Sequence, residues 1–207
     1  MRKKAIILDL DNTIYSVHSL GHELFASLFN LILEDGNHQE EMDRIKEALL
    51  HRPFQVVAKE FGFSEELTKN GIAHLKDLTY RGRIRPFDDY EFVRNLSVDK
   101  FLVTTGFLKL QQSKVEGMRL HQDFDEIHIV DPSTSDLTKR DVFAHILQQH
   151  GYTKEEVVVV GDDLTSEIKA AQELGIDAVL YDHFQLYREQ TNLPRIADFA
   201  QLSQFLV

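Results

Sequence analysis

Ala5-Ile6-Ile7-Leu8-Asp9-Leu10-Asp11-Asn12-Thr13 is the stretch on which the reading of this 207-residue chain turns. Ala5 to Leu8 is apolar without alternation and contains the β-branched Ile6 and Ile7, the pattern of a short parallel strand buried on both faces. Acidic and turn-forming residues then end it. Residues two apart on an extended chain point the same way, so Asp9 and Asp11 would face one spot at the strand's carboxyl end. In open α/β sheets that edge is where ligands bind. Two carboxylates so placed repel each other unless a cation or a shared proton offsets them.

Outward from this stretch the same kind of run recurs at Phe101–Val103, Ile127–Val130, Val157–Val160 and Ala178–Tyr181. Helical patterns lie between and after them: Leu108–Leu120, Lys139–His150, Thr165–Leu174 closed by Gly175, and Asp198–Leu206. Alternation of strand and helix predicts a doubly wound α/β sheet. Tyr15 to Leu96 breaks the rhythm. Val17, Leu20, Leu24, Leu28, Leu31 and Ile32 trace one helical stripe, and Met42, Ile45 and Leu49 another that stops before Pro53. Shorter helices are expected over Phe54–Phe61, Ser64–Leu78 and Asp88–Leu96. So much helix is too long for a crossover. The expected organisation is a core of residues 1–14 and 97–207 with an inserted helical subdomain over 15–96.

The fourth run ends in Gly161-Asp162-Asp163, with Glu167 a turn later. If that strand lies beside the first, three or more carboxylates converge, and hard oxygen ligands at that density suit magnesium with a substrate phosphate. The second run ends in Thr104-Thr105-Gly106, which offers hydroxyls and loop amides, and Lys139 opens the helix before the fourth run. A carboxylate nucleophile, a second carboxyl for proton transfer, a divalent cation, a lysine and a hydroxyl together suit phosphoryl transfer through an aspartyl phosphate.

At these residues the chain resembles the haloacid dehalogenase-like superfamily. Asp9-x-Asp11-x-Thr13 resembles its first motif, Thr104 at a strand end its second, Lys139 its third, and Gly161-Asp162-Asp163 with Glu167 its fourth, in the family's order. The resemblance implies a Rossmann-like core with an all-helical cap between the first two motifs. It also implies a nucleophile at Asp9, an acid and base at Asp11, and magnesium held by Asp9, Asp162 and the main-chain carbonyl of Asp11. Thr104, Thr105 and Lys139 would bind the transferring phosphate. The chain departs from the family at three points: Arg140 follows Lys139 where proline is frequent, Thr105 stands where asparagine is common, and Glu167 replaces the usual aspartate. Either Asp163 or Glu167 could therefore be the second acidic partner.

The implied activity is hydrolysis of a small phosphorylated metabolite. Asp-Leu-Asp-Asn-Thr-Ile-Tyr is similar to the first motif of pyrimidine 5′-nucleotidase-like members, within the wider set of phosphoglycolate phosphatase-like enzymes, so a nucleotide is the first substrate to test. A phosphomutase shares both aspartates. A 2-haloacid dehalogenase needs neither Asp11 nor magnesium.

A net charge of −11 and a pI near 5.3 argue against nucleic acid polymers and anionic membranes as partners. Met-Arg-Lys-Lys before an apolar run superficially suggests a secretory signal, but Asp9 interrupts the run. No stretch approaches a membrane span, and the expectation is a cytoplasmic protein. The chain has no cysteine, which removes thiol chemistry and disulfides. His18 and His22 have metal-ligand spacing on a helix, yet no third ligand is evident near them in sequence, and a surface or substrate-facing role is the simpler reading. Arg81, Arg83 and Arg85 read first as solvated charges.

Overall fold

The computed structural model describes residues 2–187 and 193–207. Among them six parallel strands form one sheet: β1 (Ala5–Leu8), β2 (Asp99–Thr105), β3 (Glu126–Val130), β4 (Val157–Gly161), β5 (Asp177–Tyr181) and β6 (Arg195–Ile196), in the order β3-β2-β1-β4-β5-β6. The five strands expected from apolar runs are all present. Two-residue β6 is too short to leave a periodic signal.

The unbroken hydrophobicity of the central strands has a simple cause: each strand supplies two cores. Ile6, Leu8, Leu102, Val158 and Val160 point into one layer, and Ala5, Ile7, Phe101, Val103, Val157 and Val159 into the other. This is the period-two alternation of a strand, with both faces dry. The first layer is covered by α6 (Tyr90–Arg94), α7 (Leu108–Met118) and a 3-10 segment at Phe199–Phe205, through Tyr90, Val93, Leu110, Val115, Phe199 and Leu202. The second is covered by α8 (Lys139–His150) and α9 (Glu167–Leu174), through Phe143, Ile146, Ile168 and Ala171.

Between β1 and β2 lie α1 (Gly21–Leu24), α2 (Ala26–Glu34), α3 (Met42–His51), α4 (Phe54–Glu60), α5 (Glu65–Asp77) and then α6. Helices α2 to α5 build a third apolar cluster of their own from residues such as Leu28, Ile32, Ile45, Phe54, Val57, Leu67 and Leu75. The expected single stripe from Val17 to Ile32 is broken into a 3-10 turn at Val17–Ser19, then α1, then α2, with non-helical backbone at Leu20 and Phe25. The breaks redirect the stripe. Val17, Leu20 and Leu24 pack with the sheet-side cluster, whereas Leu28 and Ile32 pack in the helical one. No helix among the described residues is long and apolar enough to cross a membrane.

Two details place the chemistry. The strand order reverses at β1, with β2 on one side and β4 on the other, so the carboxyl ends of β1 and β4 flank the crevice of a topological switch point. Leu8 pairs with Val160, and the Asp9 amide donates to the Val160 carbonyl at 3.1 Å, which brings Asp9 alongside Gly161 and Asp162. Helix α8 starts at Lys139 because Thr138 and Asp141 form a capping box, the Thr138 amide donating to Asp141 at 2.9 Å. The cap fixes which residue opens the helix, and that residue is the lysine.

Candidate active site

The loop after β1 is a tight turn. The Ile14 amide donates to the Leu10 carbonyl at 2.9 Å, and Asn12 takes a left-handed conformation (φ 57°) that asparagine tolerates better than most residues. The Asn12 side chain accepts from the Val17 amide at 3.0 Å, which ties the turn to the chain leaving it. Thr13 is fully buried and its hydroxyl donates to Asp162 Oδ1 at 3.3 Å, joining the first acidic loop to the one after β4.

Lys139 lies at the centre of one charge group. Its ammonium donates to Asp9 Oδ1 at 2.5 Å and to Glu167 Oε2 at 2.7 Å, and all three residues are buried. Carboxylate oxygens of Asp9, Asp162 and Glu167 lie within 4.8 Å of one another. Burial, and then the Glu167 charge, push the Asp9 carboxyl up to about 7 despite the lysine, which pulls the other way. Asp162 is raised well above its ordinary value by burial and next by Glu167 and Asp9. Lys139 is raised: the two carboxylates outweigh the burial that opposes its charge.

Glu167 and Asp163, left open by the sequence, are separated by the structure. Glu167 Oε1 accepts from the Asp163 amide at 2.7 Å while Oε2 meets Lys139, so its carboxylate lies inside the group. The Asp163 carboxylate instead accepts from the Thr165 amide and hydroxyl at 2.7 and 2.8 Å. This capture holds Thr165 and Ser166 out of α9, which starts two residues later than its apolar pattern suggests. Gly161 makes room for the arrangement: a Cβ there would sit 2.2 Å from Glu167 Oε1.

Asp11 belongs to a second charge group on the β2 side. Lys114 donates to its two oxygens at 2.8 and 3.0 Å, Gln111 donates to Oδ2 at 3.0 Å, and the Tyr15 hydroxyl donates to Oδ1. Burial alone would raise the Asp11 carboxyl, but Lys114, followed by the Tyr15 and Gln111 hydrogen bonds, brings it below its ordinary value. Tyr15 is raised well above its own, first by burial and then by the Asp11 charge, so it stays a donor. Gln111 also donates to Thr104 Oγ1 at 2.6 Å, which links the buried threonine at the end of β2 to Asp11. Thr105 is exposed, and its carbonyl accepts from the same amide at 3.4 Å.

The expected residues Asp9, Asp11, Thr104, Lys139 and Asp162 thus come together at one sheet edge, with Thr105 at the rim. Lys114, Gln111 and Tyr15 were not singled out in the sequence. A signal existed: Leu110, Gln111, Lys114, Val115 and Met118 are all buried on α7, so a glutamine and a lysine occupy the apolar face of that helix. A buried lysine needs a carboxylate partner.

A carboxylate triad with only hard oxygen donors, two of whose members are strained toward protonation, fits a small divalent cation. The haloacid dehalogenase-like hydrolase family pattern matches residues 3–175, which include every residue just described. The chain belongs to that family. The hydrolase is also 23% identical over 197 residues to the glyceraldehyde 3-phosphate phosphatase of Methanopyrus kandleri, covering 85% of this chain and 82% of that one. Among solved structures, a haloacid dehalogenase-like family protein from Streptococcus pneumoniae superposes with a TM-score of 0.73 at 18% identity, over 98% of both chains. The HAD-hydrolase YfnB from Bacillus subtilis, solved bound to magnesium, superposes at 0.65 and 17% identity over 100% of this chain and 99% of that one. At these identities the two superpositions establish the fold, a parallel-sheet core with a helical cap.

Outside this site, Arg81, Arg83 and Arg85 are exposed, and Arg85 pairs with Asp88 at 2.7 Å.

Proposed function

We propose that this hydrolase is a magnesium-dependent phosphatase that cleaves small organic phosphomonoesters through an aspartyl phosphate on Asp9. The observation that carries the reading is the pair of separately compensated carboxylates. Asp9 shares its pocket with Lys139, Asp162 and Glu167, while Asp11 is gripped by Lys114, Gln111 and Tyr15. The two carboxyl groups sit in different surroundings and are displaced in opposite directions, so each needs a partner to act. Asp9, raised in the metal-free site, is ionised for attack when a divalent cation offsets its neighbours, and Asp11, lowered, needs the substrate's charge to hold a proton.

In this reading Asp9 attacks phosphorus as the ester P–O bond breaks, and Asp11 gives the leaving alkoxide its proton. Asp11 then takes a proton from water, whose oxygen attacks the aspartyl phosphate; inorganic phosphate leaves and Asp9 is regenerated. Asp11 is ionised in the resting site, so it must gain a proton before the first step. An incoming dianionic phosphate raises its affinity for that proton. Lys139 and the Thr104 hydroxyl bind phosphoryl oxygens. Asp9, Asp162 and the main-chain carbonyl of Asp11, with Glu167 as acidic partner, would hold magnesium, which supplies positive charge to the transferring group. Within the inserted residues 15–96, helices α2 to α5, with an apolar cluster of their own, would serve as the cap that excludes water and selects substrate, over a catalytic core built on 1–14 and 97–207.

The name of the Methanopyrus relative supports a small phosphorylated substrate. Triose phosphates therefore join nucleotides in the substrate screen. Asp11 and its clamp count against a 2-haloacid dehalogenase, which has no leaving alcohol to protonate. The test is phosphate release from an aryl phosphate by wild type and Asp9→Asn, with magnesium and with chelator. Magnesium-dependent release that Asp9→Asn abolishes is expected; release that survives in Asp9→Asn would refute the nucleophile.

A further inference from the structure

His18 and His22 do not share a ligand. His22 lies against Phe29, with ring centroids 6.3 Å apart, whereas His18 meets two residues of α3 much further along the chain, Glu47 and His51. There, three atoms form a nearly equilateral triangle. His18 Nε2 is 3.2 Å from His51 Nε2, His51 Nε2 is 3.2 Å from Glu47 Oε1, and His18 Nε2 is 3.3 Å from the same Oε1.

Hydrogen bonding does not account for this triangle. A neutral imidazole carries one proton, on one of its two nitrogens. If both Nε2 atoms are protonated, each donates to Glu47, and the two donors then face each other unbonded. If one Nε2 is bare, it accepts from the other histidine but has nothing to give the carboxylate. Either way one edge of the triangle stays unsatisfied. A transition metal satisfies all three edges at once. Bonds of about 2.0–2.2 Å to nitrogen and oxygen in a tetrahedral shell set neighbouring donors about 3.3 Å apart.

The backbone holding the triangle is fixed by packing. Glu47 and His51 are one turn apart on α3, so they share a helix face. The turn carrying His18 is pressed against the same helix: a Cβ on Gly21 would sit 2.1 Å from Leu50 Cδ2, and Val17 and Leu50 share one buried cluster. The side chains themselves are open to solvent, at 44%, 39% and 60% exposed for His18, His51 and Glu47. An ion can therefore reach them, and the fourth position is left to water.

We propose that His18, Glu47 and His51 form a second metal site, one that takes zinc or a similar imidazole-preferring divalent ion. Its donor set differs in kind from the oxygen-only group at Asp9, Asp162 and Glu167, so the two sites select different ions. The Val17 amide donates to Asn12 in the turn that carries Asp11. An ion at this site ties the chain leaving that turn to α3.

The test uses the full chain, stripped with chelator and then saturated with magnesium to occupy the carboxylate group. Zinc is titrated by calorimetry and cobalt(II) by visible absorption, for wild type, His18→Ala, His51→Ala, Asp162→Asn and His150→Ala. The last variant addresses the other histidine cluster, in which His128 and His150 both meet Glu126 at 2.9 and 2.8 Å. One equivalent of zinc is expected to bind wild type, Asp162→Asn and His150→Ala alike and to raise their melting temperatures. The cobalt complex should show the intense visible bands of a tetrahedral ion. In His18→Ala and His51→Ala, affinity should fall by more than the ~10–100-fold that losing a supporting contact costs. Circular dichroism matching wild type shows that these surface variants are folded. Zinc binding that is absent from wild type, unchanged in His18→Ala and His51→Ala, or lost in Asp162→Asn or His150→Ala would overturn the proposal.

Discussion

Replacing Lys139 with methionine keeps most of its volume and removes the ammonium that contacts both Asp9 and Glu167. Its contacts are 2.5 Å to Asp9 and 2.7 Å to Glu167, among three carboxylates within 4.8 Å of one another. At an effective dielectric of about 20, each like-charge pair at that separation costs about 3.5 kcal/mol, and each lysine contact returns about 6 kcal/mol. With all three ionised, three repulsions and two attractions nearly cancel before burial is counted, and burial then pushes Asp9 and Asp162 toward their protonated forms. In Lys139→Met about 10 kcal/mol of repulsion would stand alone, as much as the whole stability of a typical domain. Proton uptake relieves most of it, and the net cost settles near the ~3–5 kcal/mol of a broken buried pair.

The pH dependence of that cost has a definite sign. Asp9, raised from 3.8 to about 7, binds its proton more tightly in the folded protein, so its contribution favours folding at low pH and is lost as pH rises through about 7. Removing the lysine raises Asp9 further, so the deficit of the variant widens with pH. A domain of this size shifts by about 2–4 °C per kcal/mol. Metal-free Lys139→Met should therefore melt on the order of 10 °C below wild type near pH ~8, with a smaller gap near pH ~6. Thermal melts followed by circular dichroism in chelator measure both gaps, and magnesium should narrow the one at higher pH. Turnover should drop by about 10²–10³-fold, the loss typical of one electrostatic donor. A gap that is flat or shrinks toward high pH, or turnover equal to wild type, would refute the reasoning.

Three more outcomes are expected. Lys114→Met removes the main opponent of burial at Asp11, so the limb of the kcat profile that reports Asp11 should move to higher pH, with kcat changing by up to the ~10²–10⁴-fold that acid–base catalysis supplies; Lys114→Arg should restore part of the wild-type profile, and a profile with neither limb moved would remove Lys114 from the mechanism. Glu167→Gln should weaken magnesium binding measured by calorimetry, whereas Asp163→Ala should cost only ~1 kcal/mol of stability for its lost turn hydrogen bonds; the reverse ranking would make Asp163 the acidic partner. Because Asp9 titrates near 7 without metal, magnesium binding below that pH should release protons, seen as a dependence of the calorimetric enthalpy on the buffer's ionisation enthalpy. A heat independent of buffer would count against Asp9 as a ligand.

Much of this was legible along the chain because the deciding signals are local. Unbroken apolar runs announce strands covered on both faces, and Asp9 and Asp11 come straight after the first of them. Thr138 and Asp141, which form the capping box, lie within four consecutive residues, and α8 begins at Lys139 in the sequence and in the structure alike. The breaks at Leu20 and Phe25 were not legible, because they reflect which of two clusters each part of one apolar stripe packs into.

The sequence by itself determined the class of fold, the order of the acidic motifs and the residue types available for chemistry, since all of these follow from near neighbours in the chain. Only the tertiary structure decided which charges meet. Lys114 and Gln111 reach Asp11 across about a hundred positions of sequence, and Glu167 rather than Asp163 turns into the carboxylate group because the Thr165 amide and hydroxyl capture the other side chain. His18 finds Glu47 and His51 because the close approach at Gly21 seats its turn on α3. Side-chain electrostatics act over a few ångströms, and those distances exist only after β1 has been set between β2 and β4 and the helices have closed over both faces of the sheet.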